Sequence, residues 1–175
     1  TTTLPLGSCE RLDCTAAPRS RLDVRVRDRG QALAWSWRRG PSLPMAMLGQ
    51  PTLVGGTRYA LCVRDGAGGL VFHDELDAGG SCDAQPCWRS VGTSGFAYHN
   101  TTATNALTSL RLKAAGRGGA QATAAARGAT LVGALPSTLP LTVQVEADTG
   151  ACLGATFDTS EVTIRGRHRL TAVQR

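Results

Sequence analysis

The sequence predicts an all-β fold, an antiparallel β-sandwich of about ten short strands that is stapled by disulfides. Three observations lead to this class. Apolar and polar residues alternate with a period of two in many segments, which is typical of strands with one buried and one solvated face. Glycine and proline clusters separate those segments at short intervals. The chain also contains six cysteines, an even number that suits three bridges.

The alternation is clearest in residues 141–147, where Leu141, Val143 and Val145 are separated by polar side chains. Successive side chains of a strand point to opposite faces, so this pattern indicates a sheet packed on one side. The same criterion and the flanking turn signals mark the other candidate strands, which in chain order are 22–26, 33–37, 58–64, 70–75, 88–91, 96–98, 110–114, 120–126, 151–157, 162–165 and 170–174.

Residues 120–126 are rich in alanine, the best helix former, and would otherwise suggest a helix. An internal match favours a strand, because residues 22–40 align without gaps with residues 110–128. The first copy carries Trp35 and Trp37 at alternate positions, a strand pattern. We therefore assign its alanine-rich counterpart to a strand as well.

The duplication predicts two similar β halves, either packed as one pseudo-symmetric sandwich or strung as two small domains. No proline-rich or serine-rich linker separates them, which favours close packing. The expected divisions are an extended N-terminal arm with a small disulfide loop over residues 1–20, a first half over 21–102 and a second half over 103–175.

Cysteine spacing leaves 15 connectivities open and suggests one of them. Two pairs lie close in sequence and would close small loops, which leaves a third pair to bridge a long span: Cys9–Cys14, Cys82–Cys87 and Cys62–Cys152. A zinc site is disfavoured because the close pairs lack two-residue spacing and no paired-histidine motif accompanies them. We expect no metal, and an oxidising compartment, so the protein is predicted to be secreted or at the cell surface.

No stretch approaches the roughly 20 apolar residues of a membrane span. Thr1 is interpreted as a mature end left after removal of a signal peptide. No phosphate-binding loop, dinucleotide-binding fingerprint or serine-nucleophile motif is present, so we expect neither a cofactor nor enzymatic activity. His73 with Asp74 is the strongest remaining acid–base candidate, and it is better interpreted as the polar end of a hairpin.

The formal net charge is +6, which raises the question of an anionic partner. Most basic residues alternate with apolar ones, as Arg25 and Arg27 do, and are interpreted as a solvated sheet face. The C-terminal cluster Arg165, Arg167 and Arg169 is the candidate contact for an anionic partner. Too few aromatic residues lie near it to stack bases, which disfavours nucleic acid as a partner.

The three tryptophans, Trp35, Trp37 and Trp88, could form a sugar-stacking platform if they were exposed, but burial in the core is favoured. The tripeptide that begins at Asn100 fits the acceptor pattern for an N-linked glycan and marks an exposed loop.

Five segments carry a family resemblance: YALCVRD at 59–65, GGSCDAQPCW at 79–88, GFAYH at 95–99, LPLTVQV at 139–145 and ACLGATF at 151–157. With these motifs the stretch from Leu22 to Phe157 resembles a family of uncharacterised secreted β-rich bacterial domains. The resemblance implies export and paired cysteines, and it implies no activity. The chain departs from the family at Leu153, where tryptophan is common, and at 120–126, where lysines are commoner.

Two functions remain as hypotheses. In the first, the protein is an extracellular structural subunit that associates with itself, for example into filaments, by adding a strand to a neighbouring sheet edge. Its assembly arm would be the β-compatible N-terminal segment Thr1, Thr2, Thr3, Leu4, Pro5 and Leu6. In the second, it is a monomeric secreted binding module for a glycan or an anionic surface polymer.

Overall fold

The strands form two large sheets and one small hairpin in the computed structural model, which describes residues 5–132, 135, 136 and 138–175. In chain order the fifteen strands are β1 (Thr15–Ala16), β2 (Arg19–Arg27), β3 (Gly30–Gly40), β4 (Tyr59–Arg64), β5 (Leu70–Leu76), β6 (Ser81–Cys82), β7 (Gln85–Pro86), β8 (Trp88–Ser90), β9 (Gly95–His99), β10 (Ala106–Lys113), β11 (Ala120–Gly128), β12 (Leu141–Ala147), β13 (Cys152–Phe157), β14 (Val162–Arg165) and β15 (Arg169–Gln174).

The five-stranded sheet has the order β1-β13-β12-β4-β5, and the eight-stranded sheet has the order β14-β15-β2-β3-β11-β10-β9-β8. All neighbours are antiparallel except β1, which pairs with β13 in parallel. The only helical segments in the described chain are short 3-10 turns at Met45–Leu48 and Thr159–Glu161, and neither is long enough to cross a membrane. The predicted all-β sandwich is confirmed; the two-residue strands β1, β6 and β7 were too short for the alternation to reveal.

The core lies between the two sheets and is filled by the apolar side of each alternating strand. Trp37 is fully buried on β3, and its indole Nε1 donates a 3.1 Å hydrogen bond to the carbonyl of Gly154 on β13, so it joins one sheet to the other. A Cβ at Gly40 would overlap the Trp37 ring, which explains why glycine ends β3. At one end of the sandwich, the rings of Tyr59 and Trp88 lie 5.4 Å apart across the sheets.

The N-terminal residues 7–14 cross the outer face of the five-stranded sheet. The amide of Gly7 donates to Glu146 on β12, and Arg64 on β4 donates to the carbonyl of Cys9 at 2.8 Å. Glu146 is only 2% exposed under this segment, and burial raises the pKa of its carboxyl although the Gly7 amide and Arg11 favour the charged form. This sheet is therefore covered on both sides.

All six cysteines form disulfides, but two of the predicted pairs are wrong. The bridges are Cys9–Cys62, Cys14–Cys152 and Cys82–Cys87, so only the last was predicted correctly. Cys62 on β4 and Cys152 on β13 are separated by β12, a distance of two strand spacings, or about 10 Å, which exceeds the reach of a disulfide. Each of them is bonded to the N-terminal segment that crosses above it.

Equivalent strands of the two halves are neighbours at the centre of each sheet. β3 pairs with β11, and β4 pairs with β12. The hairpin β8–β9 joins β10, whereas the hairpin β14–β15 joins β2. Each half therefore adds its last hairpin to the first strand of the other half, and both sheets contain strands from residues 21–102 and from residues 103–175.

The ungapped internal match is out of phase in one strand. It pairs Ala32 with Ala120 and Ala34 with Ala122, yet the first of each pair is exposed and the second is buried. Next to the connection, the register of β10 with β11 differs by one residue from that of β2 with β3, because a six-residue connection replaces a two-residue turn. A bulge between Leu107 and Ser109 ends this offset. Residues 120–126 are nevertheless a strand, as predicted.

Removing a disulfide should destabilise the protein more when the loop that it closes is longer. In the chain-entropy description, the bridge across 138 residues stabilises by about 5 kcal/mol and the bridge across 5 residues by about 2 kcal/mol. We expect Cys14→Ser/Cys152→Ser to lower the free energy of unfolding in urea about twice as much as Cys82→Ser/Cys87→Ser. Mass spectrometry of a non-reduced digest checks the pairing, and a peptide that links Cys9 to Cys14 would contradict it.

Candidate anion-binding face

The outer side of the eight-stranded sheet carries most of the positive charge of the protein, and we call it the arginine face. Eleven of the 19 lysine and arginine residues occupy its outward strand positions. They are Arg19, Arg21, Arg25, Arg27, Arg38, Arg89, Arg111, Lys113, Arg127, Arg165 and Arg169. Asp23 is the only one of the 13 acidic residues that lies in these eight strands.

Strand pairing arranges these cations in rows that run across the sheet. In one row, Arg165, Arg169 and Arg25 are consecutive cross-strand partners on β14, β15 and β2. Ala32 on β3 continues the row, and Arg127 on β11 completes it. Residues that are distant in sequence therefore form one line of positive charge about 20 Å long, given a strand separation of about 4.8 Å.

The middle of the arginine face is a shallow trough with small side chains. Ala32, Ala34 and Ser36 point outward from β3, and Thr123 and Ala125 point outward beside them from β11. None of the five is buried, and both alanines of β3 are exposed. A chain that lies along the trough would thus approach the backbone closely between flanking arginines.

Asp23 lies within this face and is neutralised by it. Its carboxylate accepts hydrogen bonds from Arg21 at 2.7 Å, Arg169 at 2.9 Å and the Thr171 hydroxyl at 3.0 Å. Burial alone would raise the pKa of this carboxyl, but the three donors outweigh burial and lower it. Asp23 therefore stays ionised and is paired with two arginines of the face, Arg21 and Arg169.

Two pockets open on the arginine face, one toward each end of the trough. One has a volume of about 450 Å³ and is lined by Arg25, Arg27, Arg29 and Arg127. The other has a volume of about 540 Å³ and is lined by four further arginines, namely Arg19, Arg21, Arg38 and Arg175. No acidic residue lines either pocket.

Most of these pocket arginines have no acidic partner. Of the eight arginines, only Arg21 forms an ion pair within the described part of the chain. Arg127 donates one hydrogen bond from Nη2 to the carbonyl of Thr101. A guanidinium has five N–H donors in a planar fork, so each unpaired arginine can take a carboxylate, sulfate or phosphate group in bidentate fashion.

No tryptophan, tyrosine or phenylalanine side chain lies on the arginine face in the described strands. Trp35, Trp37, Trp88 and Phe96 point inward and are at most 3% exposed. The prediction that the tryptophans are core residues is confirmed. Their burial excludes a sugar-stacking platform built on them. A ligand at this face would therefore be bound through charge and hydrogen bonds.

His73 and Asp74, the acid–base candidate on β5, make contacts within the fold. His73 and Asp74 are adjacent in a strand, so their side chains point to opposite faces. Asp74 accepts a 2.7 Å hydrogen bond from the amide of Leu107, and burial raises the pKa of its carboxyl despite that bond. His73 lies near the sulfurs of Cys9 and Cys62, which could suggest a metal site, but those sulfurs are joined in a disulfide and offer no thiolate.

The remaining predicted positions lie in different parts of the molecule. Arg165 and Arg169 belong to the arginine face, whereas Arg167 lies in the turn of the β14–β15 hairpin. Of the N-terminal arm, Thr1, Thr2, Thr3 and Leu4 lie outside the described residues, and Pro5 is exposed. Leu6 was predicted to be extended but lies in a turn that the Ser8 amide closes by donating a 3.1 Å hydrogen bond to the Pro5 carbonyl.

Asn100 follows β9 directly and is partly buried. Its Oδ1 accepts a hydrogen bond from the Thr102 hydroxyl at 3.1 Å. The acceptor tripeptide therefore has an ordered turn, and glycosylation of Asn100 stays a prediction.

Sequence interpretation missed the greater part of the arginine face. It interpreted the alternating basic residues as a solvated sheet face and assigned anion contact to the C-terminal cluster alone, although Arg19, Arg21, Arg25 and Arg27 alternate within a single segment. That alternation was the available signal. Nothing in the sequence shows that β11 would bring Arg127 into the same row, because β3 and β11 lie about half the chain apart.

No protein-family model matches the chain, and neither a curated protein nor a solved structure matches it.

Replacing Asp23 with asparagine should lower the free energy of unfolding by about 1 kcal/mol at neutral pH, because it removes a partly exposed, charge-assisted hydrogen-bond network. Since the native pKa is lowered, the stabilisation is complete above the unfolded pKa of about 3.9 and is lost as the pH falls through the native value. Denaturation of wild type and Asp23→Asn at stepped pH measures this.

The exposed Asp28 of the β2–β3 turn provides the matched control, and Asp28→Asn should leave stability nearly unchanged. A destabilisation by Asp23→Asn of the same size at neutral and at strongly acidic pH would contradict the assignment of the network.

Proposed function

We propose that the protein is a non-enzymatic extracellular binding protein that attaches to an anionic polymer through the arginine face. The observation that carries the proposal is the charge separation, with eleven cations and one acid on the outer side of the same open sheet. Like charges at this density repel one another, and an anionic ligand would relieve that repulsion. A sheet face that served only solubility would carry both positively and negatively charged side chains.

The residue type also supports the proposal. The chain contains eighteen arginines and one lysine. Arginine binds planar oxyanions through two parallel hydrogen bonds, whereas lysine acts as a point charge. An extended surface of this composition favours carboxylate, sulfate or phosphate groups that are repeated along a polymer.

The disulfides support the proposed location. Three bridges, two of which fasten the N-terminal segment to the sheet, suit an oxidising environment such as the cell exterior. Polymers with regularly spaced anionic groups are accessible there without competition from the cytoplasm's nucleic acid.

Neutralising two arginines of the long row should weaken binding to polyanions. We expect Arg25→Gln/Arg127→Gln to bind dextran sulfate and polygalacturonate about ten- to a hundredfold more weakly than wild type, since each loses charge-assisted hydrogen bonds. Affinity should also fall with salt for the wild type and less steeply for the variant. Titration calorimetry at stepped ionic strength measures both quantities, with neutral dextran as the uncharged polymer.

The matched control is Arg58→Gln/Arg117→Gln, which lowers the net charge by the same two units at positions outside the arginine face. Arg58 is already paired with Glu75 and Asp77. Equal weakening by both double variants would mean that net charge alone drives binding, and the proposal would be rejected.

Self-assembly is a second candidate function, favoured by exposed apolar residues on edge strands. Ile164 on β14 is 44% exposed at the edge of the eight-stranded sheet, and Leu70 on β5 is 57% exposed at the edge of the other sheet. An unpaired edge of this kind can accept a strand from another copy. The segment Thr1–Leu6 precedes Cys9, which is covalently attached to β4, and it would be the donor.

Deleting residues 1–6 should abolish any oligomers that the native, non-reduced protein forms, as measured by light scattering and negative-stain microscopy. Ile164→Lys should have the same effect if β14 is the acceptor edge, because a charged edge residue opposes strand addition. Leu12→Lys is the control, since Leu12 is exposed but lies in no strand. Unchanged oligomers in the deletion variant would exclude the arm as donor.

A further inference from the structure

We propose that the two arginine pockets act together as a two-point site for a linear acidic polysaccharide that lies along the trough between them. This inference rests on the proposed function and names its ligand. The first pocket (Arg25, Arg27, Arg29, Arg127) and the second pocket (Arg19, Arg21, Arg38, Arg175) are the two anchoring points.

The first pocket lies at the β2–β3 turn. Arg25 and Arg27 project from β2 on the same face, Arg29 projects from the turn, and Arg127 projects from β11 across β3. The contact of Arg127 with the Thr101 carbonyl holds that guanidinium in place and leaves its other donors free. Four guanidinium groups around about 450 Å³ can hold one or two carboxylate or sulfate groups.

The second pocket lies at the opposite end of the same strands. Arg19 and Arg38 are cross-strand partners on β2 and β3, and Arg21 is the next outward residue of β2. Arg175 closes the pocket from the end of β15. Ser36 adds a hydroxyl at the rim, so this pocket can bind both an anionic group and a neighbouring sugar hydroxyl.

In the described strands, the region between the two pockets offers no unpaired arginine to a ligand. The pocket centres on β2 are six residues apart, near positions 20 and 26, which corresponds to about 20 Å at the usual rise of a strand. Asp23 lies between them and is already paired with Arg21 and Arg169, so an anionic group at the middle of the trough would find no free cation there. A suitable ligand is therefore extended, with anionic groups spaced so that they reach both pockets.

The chemistry of the trough favours a polysaccharide over nucleic acid. Ser36, Thr123 and Gln121 offer hydrogen bonds to hydroxyl groups, and the small alanines let a sugar chain approach closely. Single-stranded nucleic acid binds by stacking its bases on aromatic side chains, and no tryptophan, tyrosine or phenylalanine points outward from the described strands of this sheet. A neutral sugar chain would also lack a stacking partner, so the acidic groups must provide the affinity.

A length series of oligogalacturonates, from the disaccharide upward, tests the two-point site. We expect weak binding for short oligomers and a step of about tenfold or more in affinity once the extended oligomer reaches about 20 Å, because the second contact becomes intramolecular. Fluorescence anisotropy with end-labelled oligomers measures the affinity of each length at one fixed salt concentration.

Two variants separate the pockets. Arg27→Gln/Arg29→Gln impairs the first pocket and Arg19→Gln/Arg38→Gln impairs the second, and none of these four arginines forms an ion pair in the described chain. Each variant should abolish the step while retaining weak binding of short oligomers at the intact pocket. The control Arg58→Gln/Arg117→Gln should keep the step.

Three outcomes would overturn the inference, and they differ in what they leave standing. A smooth rise of affinity with length and no step would reject the two-point site but keep polyanion binding by the arginine face. Duplex or single-stranded DNA that binds as tightly as oligogalacturonates of equal charge would reject the polysaccharide assignment. Absence of binding to dextran sulfate, polygalacturonate and every oligomer would reject the proposed function as well.

Discussion

The antiparallel pairing of β3 with β11 is the contact on which the rest of the structure depends. It joins strands from the two halves at the centre of the eight-stranded sheet. On the inner side it places Trp35 opposite Ala124 and Trp37 opposite Ala122, so large side chains face small ones and fill the core without overlap. The alanine-rich sequence of β11 is thereby explained as packing space for the tryptophans, not as helix propensity. On the outer side, the same register builds the trough.

The outer faces of the two sheets differ in whether a segment of the chain covers them. The five-stranded sheet is covered by residues 7–14, which are held by two disulfides and by contacts to Glu146 and Arg64. The eight-stranded sheet has no such cover in the described chain. The charged side chains at its outer strand positions are all positive except Asp23. A protein keeps an exposed, self-repelling surface at a cost in folding stability. Retention of that surface is the physical reason to look for a ligand there.

The sequence supported the fold class and most strands because alternation is a local property. It assigned residues 120–126 to a strand correctly through the resemblance to the segment with Trp35 and Trp37, although the phase of that match was wrong by one residue. The disulfide pairing failed for Cys9, Cys14, Cys62 and Cys152 because nearness in sequence was used as a guide to nearness in space. The crossing of the N-terminal segment over β4 and β13 leaves no periodic signal.

By itself, the sequence determined the two alternating faces of most strands, since a two-residue period requires only the local chain. It did not show that polar positions such as Gln144 and Glu146 on β12 would be buried beneath the N-terminal segment. It also determined the strongly basic composition and the even number of cysteines. Only the tertiary structure decided that Arg165, Arg169, Arg25 and Arg127 share one row and that two arginine pockets lie on one face. Strand order and register are set by contacts between distant segments, and alternation within one strand carries no information about its neighbours.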